Sequence, residues 1–111
     1  MNKVTAGSFR TVDRSSAIAN DFAVPYYLDD HKLRISIARV EGHLYAFDDL
    51  CTCSSEHCPL SGGLLRGTTI MCQCHGSQFD MTTGAVINGP ATEPLHIYEV
   101  EEVDGDIQVR V

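Results

Sequence analysis

All five cysteines of this chain fall between Cys51 and Cys74. They lie in a segment, about residues 48–92, that also carries Gly62, Gly63, Gly67, Gly76, Gly84 and Gly89 with Pro59 and Pro90. So many chain breakers exclude a long helix or long strands there and suit loops folded tightly around something. Two short-spaced pairs stand out, Cys51-Thr52-Cys53 and Cys72-Gln73-Cys74-His75. Thiolate and imidazole are ligands of zinc and of iron-sulfur clusters, and two such pairs on facing loops can complete a metal site.

The 111 residues leave room for one domain, read here as 1–111 with a loop subdomain at about 48–92. A net charge of -7 is the wrong sign for neutralising phosphates, so nucleic acid is excluded as a partner, and a charge-steered partner should present a basic patch. No apolar stretch reaches membrane or signal-peptide length, which predicts a soluble, cytoplasmic protein with no membrane partner.

Outside the cysteine region the apolar period is that of strands. Leu33, Ile35 and Ile37 alternate with Lys32, Arg34 and Ser36, and Glu41-Gly42-His43 turns this run into Leu44 to Phe47, a hairpin. Ile97 to Glu101 and Ile107 to Val111 form a second hairpin around Asp104-Gly105-Asp106. Pro25 and the Asp29-Asp30 pair punctuate the segment before the first hairpin. Ser15 to Phe22 is the one stretch that could be a short helix, with Ser15 or Ser16 as its N-cap.

From Asp49 onward the chain resembles a Rieske-type iron-sulfur domain of the small ferredoxin kind, whose pattern is C-x-H followed, after a spacer, by C-x-x-H. The matching residues are Asp49-Leu50-Cys51-Thr52, Cys58-Pro59-Leu60-Ser61-Gly62-Gly63, Cys72 to Asp80, Thr83-Gly84 and Gly89-Pro90-Ala91. The resemblance implies an all-β fold of three small antiparallel sheets with a cluster-binding subdomain of loops. It also implies one 2Fe-2S cluster, with Cys51 and Cys72 on one iron and His75 on the other. The fourth ligand departs from the pattern, because the position two residues after Cys51 is Cys53 rather than histidine. Either Cys53 is the ligand, or the lengthened loop Ser54-Ser55-Glu56 brings His57 inward. Cys53 is favoured because it keeps the spacing and thiolate is a natural iron-sulfur ligand.

A third thiolate adds negative charge and lowers the potential. The expected value lies between the Rieske range of roughly -150 to +300 mV and the roughly -400 mV of plant-type clusters. The resemblance further implies a disulfide between Cys58 and Cys74. The reducing cytoplasm disfavours such a bridge, but a buried cross-link of low potential escapes the reducing pool. Ser77 matches a serine that donates to a bridging sulfide and raises potential. Phe79 replaces a tyrosine and has no hydroxyl to donate, and Pro90 belongs to a loop that covers the cluster. His31, His43 and His96 lack ligand-spaced neighbours and read as surface or strand residues. Glu99, Glu101, Glu102, Asp104 and Asp106 read as a solvated hairpin edge.

A cluster fully ligated by protein has no open coordination position, so the expected function is electron transfer rather than catalysis. The resemblance implies a monomeric carrier between a reductase and a terminal oxygenase, with His75 as the exit point. Two other readings stay open: a small subunit of a larger reductase such as nitrite reductase, and a structural zinc module using Cys51, Cys53, Cys72 and His75.

Overall fold

The computed structural model describes residues 9–29, 32–52, 58–74, 76–89 and 91–111. Ten strands run in the order β1 (Phe9–Arg14), β2 (Phe22–Leu28), β3 (Leu33–Val40), β4 (His43–Asp48), β5 (Leu64–Arg66), β6 (Thr69–Met71), β7 (Gln78–Asp80), β8 (Val86–Asn88), β9 (Ile97–Val103) and β10 (Asp106–Arg110). They form three antiparallel ladders: β1-β10-β9, β4-β3-β2 and β5-β6-β7-β8. Only two residue pairs, Ala46 with Tyr98 and Phe47 with Ile97, join the first two ladders into a six-stranded sheet. This is the all-β arrangement of small sheets that the cysteine motifs led us to expect.

Both hairpins turn on two residues, Glu41-Gly42 at φ 50° and 82° and Asp104-Gly105 at φ 51° and 81°. Two successive left-handed residues make the turn whose twist matches that of the flanking strands, which is why glycine is required at the second position. The six-stranded sheet buries residues on both faces. Ile35 and Ile37 of β3 pack with Ala46, Ile107, Val109, Ile18 and Leu28 on one face. Ala38 and Val40, pointing the other way, join Phe47 against the cysteine region. The alternation read from Leu33 to Ile37 is therefore real, but its second face is covered too. Ser36 and Ala38 are small enough to let the other layer approach.

The expected helix is absent. Only Ser15–Ala17 make one 3-10 turn, Arg14 precedes it without a side-chain cap, and the chain is extended again at Ile18. Tertiary contacts override the helical propensity. The Ser15 hydroxyl donates to Glu102 instead of capping, Ile18 is pulled into the core, and Asp21 reverses the chain at φ 68°. Pro25 does not break β2 because β2 is an edge strand, where a missing backbone donor can face solvent.

The acidic residues of the second hairpin begin at Glu99, just where pairing between β9 and β4 stops. Charges there shield an open strand edge. Two of them are also held in ion pairs, Glu99 with Arg110 at 2.8 Å and Glu102 with Arg39 at 3.0 Å.

Candidate metal centre

Three loops meet at one end of the four-stranded sheet. The first leaves β4 at Asp49 and returns at Leu60. Its base is a small hairpin in which Leu50 bridges Pro59 and the Cys51 N–H donates to the Cys58 carbonyl at 2.9 Å. Asp49, fully buried, fastens both ends of that hairpin. Its carbonyl accepts the Leu60 N–H, and its carboxylate accepts the Ser61 N–H at 2.7 Å, the Ser36 hydroxyl and the Arg34 guanidinium. A buried carboxylate is tolerated only when its lone pairs are satisfied in this way.

The second loop joins β6 to β7, closed by the Cys72 N–H donating to the Ser77 carbonyl at 2.8 Å and the Gly76 N–H to the Cys72 carbonyl at 3.0 Å. The third follows β8 through Gly89 and Ala91 towards Leu95. Each pair of loops is cross-tied. A disulfide links Cys58 of the first to Cys74 of the second, with 6.4 Å between their Cα atoms. The Ala91 N–H of the third donates to the buried Ser77 hydroxyl oxygen at 3.0 Å. The Thr52 hydroxyl of the first donates to the Glu93 carbonyl at 2.7 Å. Gly63 admits the close approach of the first loop to β6, since any Cβ there would collide with the Met71 carbonyl oxygen.

Under the three loops lies an apolar floor of Leu60, Ile70, Phe79, Met81, Ala91 and Leu95, and Cys51 and Cys72 are buried in it. Two buried thiols from separate loops, packed in an apolar cluster, are a soft donor set suited to iron-sulfur chemistry. Phe79 lies wholly in the floor and brings no hydroxyl, as expected. Ser77 is buried beside Cys72, and the Ala91 amide fixes its hydroxyl oxygen. Cys53, His57, His75 and Pro90 lie outside the described residues, so neither reading of the fourth ligand acquires geometry here. His31 is also outside them, while His43 and His96 are exposed.

The reading of the sequence gave Asp49 and Thr52 no role, yet both hold the site together. A signal for Asp49 existed: Ser36, a lone polar residue on the otherwise apolar run Ile35 to Ala38, is its partner. Thr52 had none, because its acceptor is a backbone carbonyl 41 residues away.

Beside the first loop, the Tyr98 hydroxyl donates to Asp48 at 2.6 Å, and the Asp48 N–H donates to the His96 carbonyl at 3.0 Å. Burial, and then the Asp48 carboxylate, push the Tyr98 phenol well above its usual value of 10.0. Burial and Asp13 do the same to Tyr26. A folded-state value above the unfolded one means that stability is complete below the unfolded value and is lost as pH rises beyond it. From neutral pH the thermal midpoint should therefore be level up to about pH 10 and fall above it, and Tyr98→Phe should reduce the steepness of that fall. An equally steep alkaline fall in Tyr98→Phe would show that the Tyr98–Asp48 bond is not its source.

Residues 8–99 match the Rieske [2Fe-2S] domain family. The anthranilate 1,2-dioxygenase ferredoxin subunit of Burkholderia cepacia is 36% identical over 77 residues, covering 69% of each chain. Ferredoxin CarAc of Metapseudomonas resinovorans is 37% identical over 75 residues, covering 68% of each. Among solved structures, the Sphingomonas yanoikuyae B1 ferredoxin superposes with a TM-score of 0.85 at 26% identity, over 94% of this chain and 99% of that one. A chain from the complex of reduced oxygenase and oxidised ferredoxin of carbazole 1,9a-dioxygenase gives 0.81 at 29% identity, over 92% of both. With its paired loops, buried thiols and three ladders matched across nearly the whole length, the chain belongs to the Rieske [2Fe-2S] domain family.

Proposed function

We propose that this protein is a one-electron carrier, a Rieske-type ferredoxin that receives an electron from a reductase and delivers it to a terminal oxygenase, itself catalysing no reaction. The observation that carries the reading is the set of three cross-tied loops closing over two buried thiols. Such a site suits a redox group held between tied loops. Relatives that are ferredoxin components of dioxygenase systems support the same reading.

One 2Fe-2S cluster is assigned to the site, held by Cys51, Cys72, His75 and Cys53, with His57 as the alternative to Cys53. When bound, the cluster supplies one-electron redox chemistry. The chain's own residues do the rest. The floor of Leu60, Ile70, Phe79 and Met81 excludes water from the thiols, which favours the less charged redox state. The Ser77 hydroxyl, its oxygen already fixed by the Ala91 amide, is left with its proton to donate, which favours the reduced state. The cross-ties keep the loops from moving, so little reorganisation accompanies electron transfer. The whole chain, 1–111, is assigned to one Rieske unit whose cluster-binding part is residues 48–92. We place it in the cytoplasm as a monomer, and its net charge of -7 favours partners with basic docking patches. No helix among the described residues is long and apolar enough to cross a membrane.

Purified protein tests the proposal through iron and acid-labile sulfide content and the electron paramagnetic resonance spectrum of the reduced form. We expect equal iron and sulfide and a reduced-cluster signal that is lost in Cys53→Ala and His75→Ala and retained in His57→Ala. Colourless protein carrying zinc would overturn the carrier reading. Loss of the signal in His57→Ala, with retention in Cys53→Ala, would exchange the fourth ligand.

A further inference from the structure

The Cys58–Cys74 bridge does not lie apart from the metal centre. The sulfurs of Cys58, Cys72 and Cys74 all fall within 4.8 Å of one another. Cys72 is fully buried, while Cys74 is exposed. We propose that these three residues form an internal thiol–disulfide exchange site, silent while Cys72 is bound to iron and active in the same chain once iron has been lost. The silent state rests on the reading of Cys72 as a cluster ligand. The exchange itself rests only on the three sulfurs.

The chemistry is balanced without any outside oxidant. The Cys72 sulfur attacks the Cys58 sulfur, the Cys58–Cys72 bond forms as the Cys58–Cys74 bond breaks, and the proton that Cys72 gives up ends on the departing Cys74 sulfur, within 4.8 Å of it. Two features direct the attack to Cys58. The leaving group is then the exposed Cys74, whose developing charge water can solvate, whereas attack on Cys74 would expel Cys58, 8% exposed, into the apolar floor. Attack on Cys74 would also have to close a ring between residues only two apart, far from ordinary disulfide geometry. No small-molecule thiol is needed, because attacking thiol and disulfide are already neighbours. The consequence is a self-locking site: a chain that loses its iron with the bridge intact captures one of its own ligands, and a dithiol reductant must release Cys72 before a cluster can be rebuilt.

Disulfide mapping of the full-length protein tests this. Iron-loaded protein, and the same preparation stripped with a chelator under non-reducing conditions, are sampled over minutes to hours, the span of uncatalysed disulfide rearrangement. Each sample is quenched in acid, alkylated and mapped by mass spectrometry. In the stripped protein we expect a Cys58–Cys72 cross-link to replace Cys58–Cys74, with Cys74 becoming alkylated and the intact mass before alkylation unchanged. The iron-loaded protein should keep Cys58–Cys74 throughout, as should stripped Cys72→Ser. A stripped protein that keeps Cys58–Cys74 with Cys72 alkylated overturns the proposal and leaves the ligand assignment standing. So does a bridge captured by Cys51 or Cys53 in preference to Cys72. Exchange at the same rate in iron-loaded protein would instead show that iron does not hold Cys72, overturning the protection and the ligand reading together.

Discussion

Asp49→Ala is expected to lower stability by about 3 kcal/mol or more, within reach of the 3–5 kcal/mol typical of breaking one partner out of a buried ion pair. The effect comes less from the guanidinium than from the groups left behind. Arg34 has a side chain 41% exposed, and water replaces the carboxylate there at little cost. The Ser36 hydroxyl is fully buried and the Ser61 N–H half-buried, and each unsatisfied group costs about 1–3 kcal/mol. Arg34→Ala leaves the buried carboxylate without its cation but with its bonds from Ser36 and Ser61, so it should cost less, about 1–3 kcal/mol. Asp49→Asn, whose Oδ1 can still accept both the Ser36 and the Ser61 bonds while its amide N–H groups face Arg34, should cost less than Asp49→Ala. Urea unfolding followed by tryptophan-independent circular dichroism reads the differences directly. Equal losses in Asp49→Ala and Arg34→Ala would show that the ion pair, not the buried hydrogen bonds, fastens the loop.

Removal of the Cys58–Cys74 bridge is the second large expected effect. It joins residues separated by 16 positions. In the chain-entropy account a closed loop of that size stabilises the fold by about 3 kcal/mol. Cys58→Ser, Cys74→Ser and the double variant delete the same bond, so their unfolding midpoints should drop by the same amount rather than additively. The visible spectrum should also bleach faster in air in all three, because the first and second loops lose their covalent tie while those through Ser77 and Thr52 remain. Wild-type protein treated with a dithiol before unfolding should reproduce the loss. Additive losses would indicate that the two side chains contribute through packing, and a midpoint unchanged in all three would show that the bridge does not restrain the unfolded chain.

What could be read from the sequence was what short-range chemistry decides. Gly42 and Gly105 marked the hairpins because only a narrow set of residues accepts their backbone angles. Cys51 and Cys72 stood out as candidate ligands because metal chemistry tolerates few residue types, whereas the Cys58–Cys74 pairing came only with the family resemblance. The four-stranded sheet was not apparent: β5 to β8 have three residues each, too few for alternation to register. β2 was hidden by Pro25, whose compatibility with a strand depends on which strand has a neighbour on only one side. The 3-10 turn at Ser15 was misread as a helix because its serine is claimed by Glu102, 87 residues further on. In that last case the deciding partner lies far along the chain, where a local window cannot see it.

The ladder of β1 on β10, with Phe9 opposite Arg110 and Arg14 opposite Asp106, bears on the order in which the molecule assembles. The two hairpins close over two-residue turns and can form within microseconds. β1 instead gains its partner only by bringing together segments at opposite ends of the described chain, with the largest loss of chain entropy of any pairing in the sheet. Topology of this kind slows folding, and the docking of β1 should be the late step, so that substitutions in β1 accelerate unfolding while leaving the refolding rate nearly untouched.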